Sequence, residues 1–179
     1  MQRLRRCKVS ICIGIDPSYT GCGVIILETD TGDIKEKLLI KTPAKEEYKD
    51  RVRMIWDKVS SFFDAPVDVV AIEGLAFSRT NQAHQMGYLH YRLREYVQAH
   101  KSNPLLIVPA TTQLKKFVTG KGNASKDTMM MQVYKHWGVE IPNNNICDAY
   151  GLAQIGRAYV GTEAKLLKHQ QEVVAALKG

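Results

Sequence analysis

Apolar positions come in short blocks through the first 42 residues, and then their period changes. "VSICIGID" (9–16) and "GVIILET" (23–29) are rich in β-branched residues and are separated by "PSYTGCG", a strand–turn–strand pattern. "DTGD" (30–33) supplies a second turn and "IKEKLLIKT" (34–42) a third strand, so hairpin logic predicts three antiparallel strands. Between Ala44 and Phe63 the apolar residues Tyr48, Val52, Ile55, Val59 and Phe62 recur at helical spacing, with charges between them. Pro66 resets the chain into a fourth strand, "VDVVAIEG" (67–74). A second helix is predicted at roughly 80–100, with Met86, Leu89, Leu93 and Val97 on one face, and "PLLIVPA" (104–110) reads as a short buried strand.

The remainder is helical. "TTQLKKFVTGKGNASKD" mixes a short helix with a basic, Gly-containing loop. Ser125 is placed to cap a helix that runs to Trp137 and stops at Gly138. Asn145 or a neighbour caps another helix, 146–160, and the tail 161–179 suits one more short amphipathic helix. Three meandering strands followed by alternating helices and strands describe an α/β fold with a mixed five-stranded sheet flanked by helices.

At 179 residues the chain is long enough for one domain with a sizeable core, and 45% apolar with 24% charged residues is a globular composition. The expected organisation is a basic N-terminal arm (1–9, with Arg3, Arg5, Arg6 and Lys8), one domain (10–160) and a helical tail (161–179). A net charge of +7 points to a polyanionic partner, nucleic acid first and an anionic membrane surface second. No apolar run approaches ~18 residues, so no membrane-spanning helix is expected. The opening "MQRLRRCK" lacks the apolar stretch of a secretory signal. Cys7, Cys12, Cys22 and Cys147 show no CxxC spacing and read as reduced intracellular thiols rather than zinc ligands.

Three acids occupy telling positions. Asp16 ends strand one, Glu73 ends strand four, and Asp148 starts the penultimate helix. If strand four pairs parallel to strand one after a right-handed crossover, both strand acids project at one carboxyl edge, where open α/β sheets place ligands. Clustered carboxylates raise one another's pKa unless a cation neutralises them, and hard oxygen ligands suit magnesium or manganese. A pair of such ions is the usual device for phosphodiester hydrolysis. Each acid also has a plain reading: Asp16-Pro17 as a turn, Glu73-Gly74 as a strand end in solvent, and Asp148 as a partner of the helix dipole. The joint placement, in a basic chain, favours the nuclease reading.

"IGIDPSYTGCGV", "VVAIEGLAF", "GKGNASKD" and "NNICDAYGLA", in that order and spacing, resemble the RuvC family of Holliday junction resolvases. The resemblance implies an RNase H-like fold and a homodimeric, metal-dependent endonuclease that resolves four-way or otherwise branched DNA in a bacterial or phage-infected bacterial cytoplasm. It implies that Asp16, Glu73 and Asp148 are metal-binding catalytic acids using Mg2+, with Mn2+ as a substitute and two ions per site. It places Lys115 and Lys126 among DNA-contacting lysines and the second long helix at the dimer interface. The family's fourth ligand, an acid or histidine, falls at Asn145 here, a neutral oxygen ligand at best, with Asp127 as a possible replacement. Cys22 stands at a family aromatic position. Phe77 or Ala76 aligns with the residue that probes bases near the crossover, and a core role competes for Phe77.

Basic residues add to this. Lys126 in a first helical turn opposes the macrodipole, which a bound phosphate would offset. Lys115, Lys116 and Lys121 share that loop region, and Arg79 and Asn81 follow Glu73 closely enough to touch phosphates. Solvated lysines are an equal reading for Lys116 and Lys121. Among the histidines only His84 lies near a proposed site in sequence, and an interface role suits it better than catalysis. Met130, Val133 and Trp137 at helical spacing read as core. Rival functions are trimming of structured RNA by the same fold, or junction binding without cleavage. The "DPSYTGCG" turn also resembles the phosphate hairpin of the actin and sugar-kinase superfamily, which needs a far longer chain.

Overall fold

The computed structural model describes residues 9–75, 83–162 and 165–179. The strands are β1 (Ile11–Asp16), β2 (Cys22–Glu28), β3 (Ile34–Ile40), β4 (Val67–Ile72) and β5 (Leu105–Ile107). The helices are α1 (Tyr48–Ser60), α2 (Ala83–Ala99), α3 (Thr111–Thr119), α4 (Lys126–Trp137), α5 (Asn144–Val160) and α6 (Lys168–Lys178). The sheet order is β3-β2-β1-β4-β5: β1, β2 and β3 pair antiparallel, and β4 and β5 add parallel to β1. This is the mixed sheet that the hydrophobic pattern predicts.

Alternation along the strands sorts the core into two layers. Ile11, Ile13 and Ile15 of β1 pack with Val70 and Ile72 of β4 against Val52, Ile55 and Val59 of α1 and Leu89, Leu93 and Val97 of α2. Cys12 of β1, with Val69 and Ala71 of β4, faces the other way, onto α5 and the helices around it. The same parity sends Asp16 and Glu73 toward the α5 side. There α5 lies directly on the sheet backbone, because Gly14 and Gly23 leave no Cβ between strand and helix.

Several boundaries differ from the pattern. β3 stops at Ile40, and the first helix starts at Tyr48 rather than near Ala44. Tyr48 is 40% exposed, and a buried arginine, Arg51, takes the place on the inward stripe. Asn143, not Asn145, caps α5: its side chain accepts from the Ile146 N–H at 3.1 Å, so Asn145 sits in the first turn. Ser125 caps α4, and Gly138 ends it in the left-handed conformation, both as expected. No helix among the described residues is long and apolar enough to cross a membrane.

Candidate active site

β1 ends on Asp16 because the chain must turn there, and the turn is tied down from three sides. Arg51 of α1 donates to Thr42 Oγ1 at 2.8 Å and to the Tyr19 carbonyl at 3.0 Å, with its guanidinium over the Tyr19 ring. Thr42 donates to the same carbonyl at 2.7 Å, and the Tyr19 hydroxyl donates to the Gln85 carbonyl of α2. From the other layer, the Asn145 side-chain amide donates to the Gly21 carbonyl at 2.5 Å. A buried arginine held by one carbonyl and one hydroxyl is a costly feature to build, and here it fixes the chain three residues beyond Asp16.

The second acid follows from the register. Ile15 pairs with Ile72, so the next residues, Asp16 and Glu73, are level, and the Glu73 N–H donates to the Ile15 carbonyl at 3.0 Å. The Gly74 N–H is taken by the Pro109 carbonyl at 2.7 Å, which turns the chain away after the acid. The third acid arrives on α5. Gly23, the antiparallel partner of Asp16, lies against the Asn145 main chain, so the first turn of α5 sits over the end of β1 and carries Asp148 one turn further along.

Electrostatics binds the three into one group. Asp16 is only 9% exposed; burial, then the adjacent Glu73 carboxylate, then Asp148 push its pKa up to about 9, and its protonated form donates to Glu73. Burial and Glu73 likewise raise Asp148 to about 6. Lys126, the first residue of α4, pulls both acids back toward the charged form, and Lys115 of α3 acts on Asp148. Among the described residues no three acid, histidine or cysteine side chains stand close enough together to hold a metal ion as they are placed. The donor set nevertheless fits a hard divalent cation: it gathers carboxylates whose mutual repulsion is left uncompensated by two lysines.

The other sequence candidates separate. Lys116 turns away to pair with Glu172 of α6 at 2.8 Å, and Lys121 is exposed in the loop between α3 and α4. Asp127 is exposed beside Lys126. Phe77, Arg79, Asn81 and the alternative Ala76 lie outside the described residues, as do Arg3, Arg5, Arg6 and Lys8 of the N-terminal arm. Two residues that the sequence reading passed over belong to the site's frame. One is Arg51. The other is His90 of α2, which is 5% exposed and donates to the Glu73 main chain; burial and the neighbouring Arg94 lower its pKa to about 4. Both stand on apolar stripes, at Tyr48 + 3 and Met86 + 4, and a polar residue in core phase is the signal that could have found them.

Comparison with known proteins identifies the family. The family model "Crossover junction endodeoxyribonuclease RuvC" matches residues 12–156, from β1 to the last turns of α5. The chain belongs to the RuvC family. The RuvC of Brachyspira hyodysenteriae is 28% identical over 152 residues, covering 80% of this chain and 91% of that protein. The RuvC of Frankia alni is 29% identical over 147 residues, covering 79% and 74%. The Thermus thermophilus RuvC structure superposes with a TM-score of 0.67 at 24% identity, over 88% of this chain and 99% of that one. T. thermophilus RuvC in complex with Holliday junction substrate gives 0.68 at 22% identity, with the same coverage. The RuvC-like chain therefore has the RNase H-like fold that its motifs imply.

Proposed function

We propose that this RuvC family member is a divalent-metal-dependent endodeoxyribonuclease that resolves four-way DNA junctions by paired phosphodiester hydrolysis. The observation that carries the reading is the meeting of Asp16, Glu73 and Asp148 at one sheet edge, with Lys115 and Lys126 beside them. Asp16, Glu73 and Asp148 would hold the metal, Mg2+ with Mn2+ as a substitute and two ions per site; Asn145 is the candidate for a fourth, neutral oxygen ligand. When bound, the metal supplies neutralisation of the acids and Lewis-acid polarisation at the phosphate. The chain's own residues do the rest. Lys126 and the free amides at the start of α4 receive a backbone phosphate, and Lys115 approaches from α3. Lys121 and, beyond the described residues, Arg79 and Phe77 extend the DNA path, with Phe77 against bases near the crossover. Lys116 joins only by leaving Glu172.

A four-way junction of near two-fold symmetry must be cut on two strands, and a two-fold homodimer presents two equivalent sites. Support for α2 as its interface comes from what that helix leaves uncovered: Tyr91 is 66% exposed and Tyr88 38%, and His84 is exposed. Among the described residues a Cβ on Gly87 would meet nothing nearer than a Leu75 methyl at 4.0 Å, which leaves room above it for a facing helix. The test of the site is Asp16→Asn, Glu73→Gln and Asp148→Asn. Each is expected to abolish cleavage and to keep junction binding, because affinity comes mainly from cations on phosphates. Loss of junction binding in all three folded variants contradicts the assignment.

A further inference from the structure

Glu73 stands one residue past the end of β4, where the ladder no longer dictates the path of the chain. Its N–H is held by Ile15, and a second anchor reaches the same residue from the opposite layer. His90 projects from the inward stripe of α2 between Leu89 and Leu93, is 5% exposed, and spends a ring N–H on the Glu73 main chain. Among the described residues its other ring nitrogen, Nδ1, is buried with no hydrogen-bond partner, and the hydrogen bond the imidazole makes there is the one to the Glu73 main chain. Leaving a buried imidazole nitrogen unpaired carries a desolvation penalty that an apolar side chain at this core position would avoid. Stability therefore does not account for a histidine here.

We propose that His90 is a positioning residue for the reaction: it anchors the Glu73 main chain from α2 and so aims the Glu73 carboxylate at the metal. Glu73 is thereby clamped on both sides, by β1 through Ile15 and by α2 through His90. This rests on Glu73 being a metal-binding catalytic acid. Loss of such an orienting partner typically lowers metal affinity or activity about 10- to 100-fold.

The test compares wild type, His90→Leu and Glu73→Gln. The measurements are turnover and KM on a labelled four-way junction, Mn2+ affinity of the DNA-free protein by calorimetry, and thermal melting. Expected for folded His90→Leu is a fall in turnover of about 10-fold or more, unchanged KM, and weaker Mn2+ binding by a similar factor. Wild-type turnover and Mn2+ affinity in His90→Leu, with Glu73→Gln inactive, overturns the role of His90 and leaves that of Glu73 standing. An active Glu73→Gln removes the basis for both. Should His90→Leu not fold, the comparison passes to His90→Gln and His90→Met, unbranched side chains with and without an N–H donor. Gln above Met in turnover and Mn2+ affinity supports the anchor, and equality overturns it.

Discussion

Replacing Gly14 by Ala tests whether α5, and Asp148 with it, is held in place by direct contact with β1. A Cβ there would stand 2.0 Å from the Ala149 carbonyl oxygen and 2.6 Å from the Ala153 nitrogen, both main-chain atoms of α5. Ordinary contact begins near 3.4 Å, so helix and strand must part by about 1.4 Å at this point. Neither partner can yield as a side chain would, since one is a central strand and the other a buried helix. Overpacking of this kind costs about 3 kcal/mol, which for a chain of this size lowers Tm by roughly 6–12 °C. The same displacement moves Asp148, one residue from Ala149, away from Asp16, and a misplacement of about 1 Å at reacting groups costs on the order of 100-fold in rate. Melting followed by circular dichroism, with junction cleavage measured well below the variant's Tm, reads both effects. Gly87→Ala is the control. Among the described residues of its own chain it meets no atom closer than 4.0 Å and gains up to ~1 kcal/mol of helix propensity, so its melting under dilute, monomeric conditions holds or rises. A Gly14→Ala protein that melts within about 2 °C of wild type and cuts at its rate would refute the seating of α5 on the strand backbone.

Gly23→Ala, whose Cβ would lie 2.1 Å from the Asn145 carbonyl oxygen, is expected to lose cleavage more completely than it loses stability, because the clash falls at the acids; kinetics and melting of one preparation decide. Metal-free protein should lose stability as pH rises. Asp16 and Asp148 have folded pKa values of about 9 and about 6, above their unfolded value of 3.8, so their contribution is fully present below that value and is lost through pH 6 and 9. Asp16→Asn should then raise Tm at pH 8 without metal and abolish the pH slope above 7; a slope as steep as in wild type counts against a buried, raised Asp16. Ala at Lys115 or Lys126 should weaken binding alike on all duplex sequences and flatten the slope of log affinity against log salt by roughly one unit. An unaltered slope means that these lysines do not touch phosphate. Sedimentation should give a dimer at micromolar concentration that Gly87→Leu weakens, and a wild-type monomer rejects the dimer.

What could be read in the chain and what could not divide along a physical line. Strand order and the meeting of Asp16 with Glu73 were legible, because period-two alternation and the crossover rule leave few ways to place β4 beside β1. The helix over 126–137 was legible at both ends, since Ser125 and Gly138 are local signals needing no tertiary partner. The cap of α5 was legible only as Asn145 or a neighbour, because three consecutive asparagines offer the same chemistry. Only the position of the first turn against Gly21 and Gly23 assigns Asn143 to the cap and Asn145 to the turn. Arg51 and His90 escaped because what they hold at the site is backbone 32 and 17 residues away, which no periodicity encodes. Lys116 was grouped with Lys115 by adjacency, yet neighbours on a helix diverge by about 100°, and its place on α3 gives it to Glu172 instead.

The most direct measurement is cleavage of an end-labelled four-way junction, a linear duplex of the same sequence and a structured RNA, side by side, with Mg2+ or Mn2+ and with chelator. The prediction is paired nicks in the junction alone, dependent on the ion and absent in Asp148→Asn. Equal cutting of all three substrates, or junction cutting that survives chelator or Asp148→Asn, contradicts a metal-dependent junction resolvase built on these three acids.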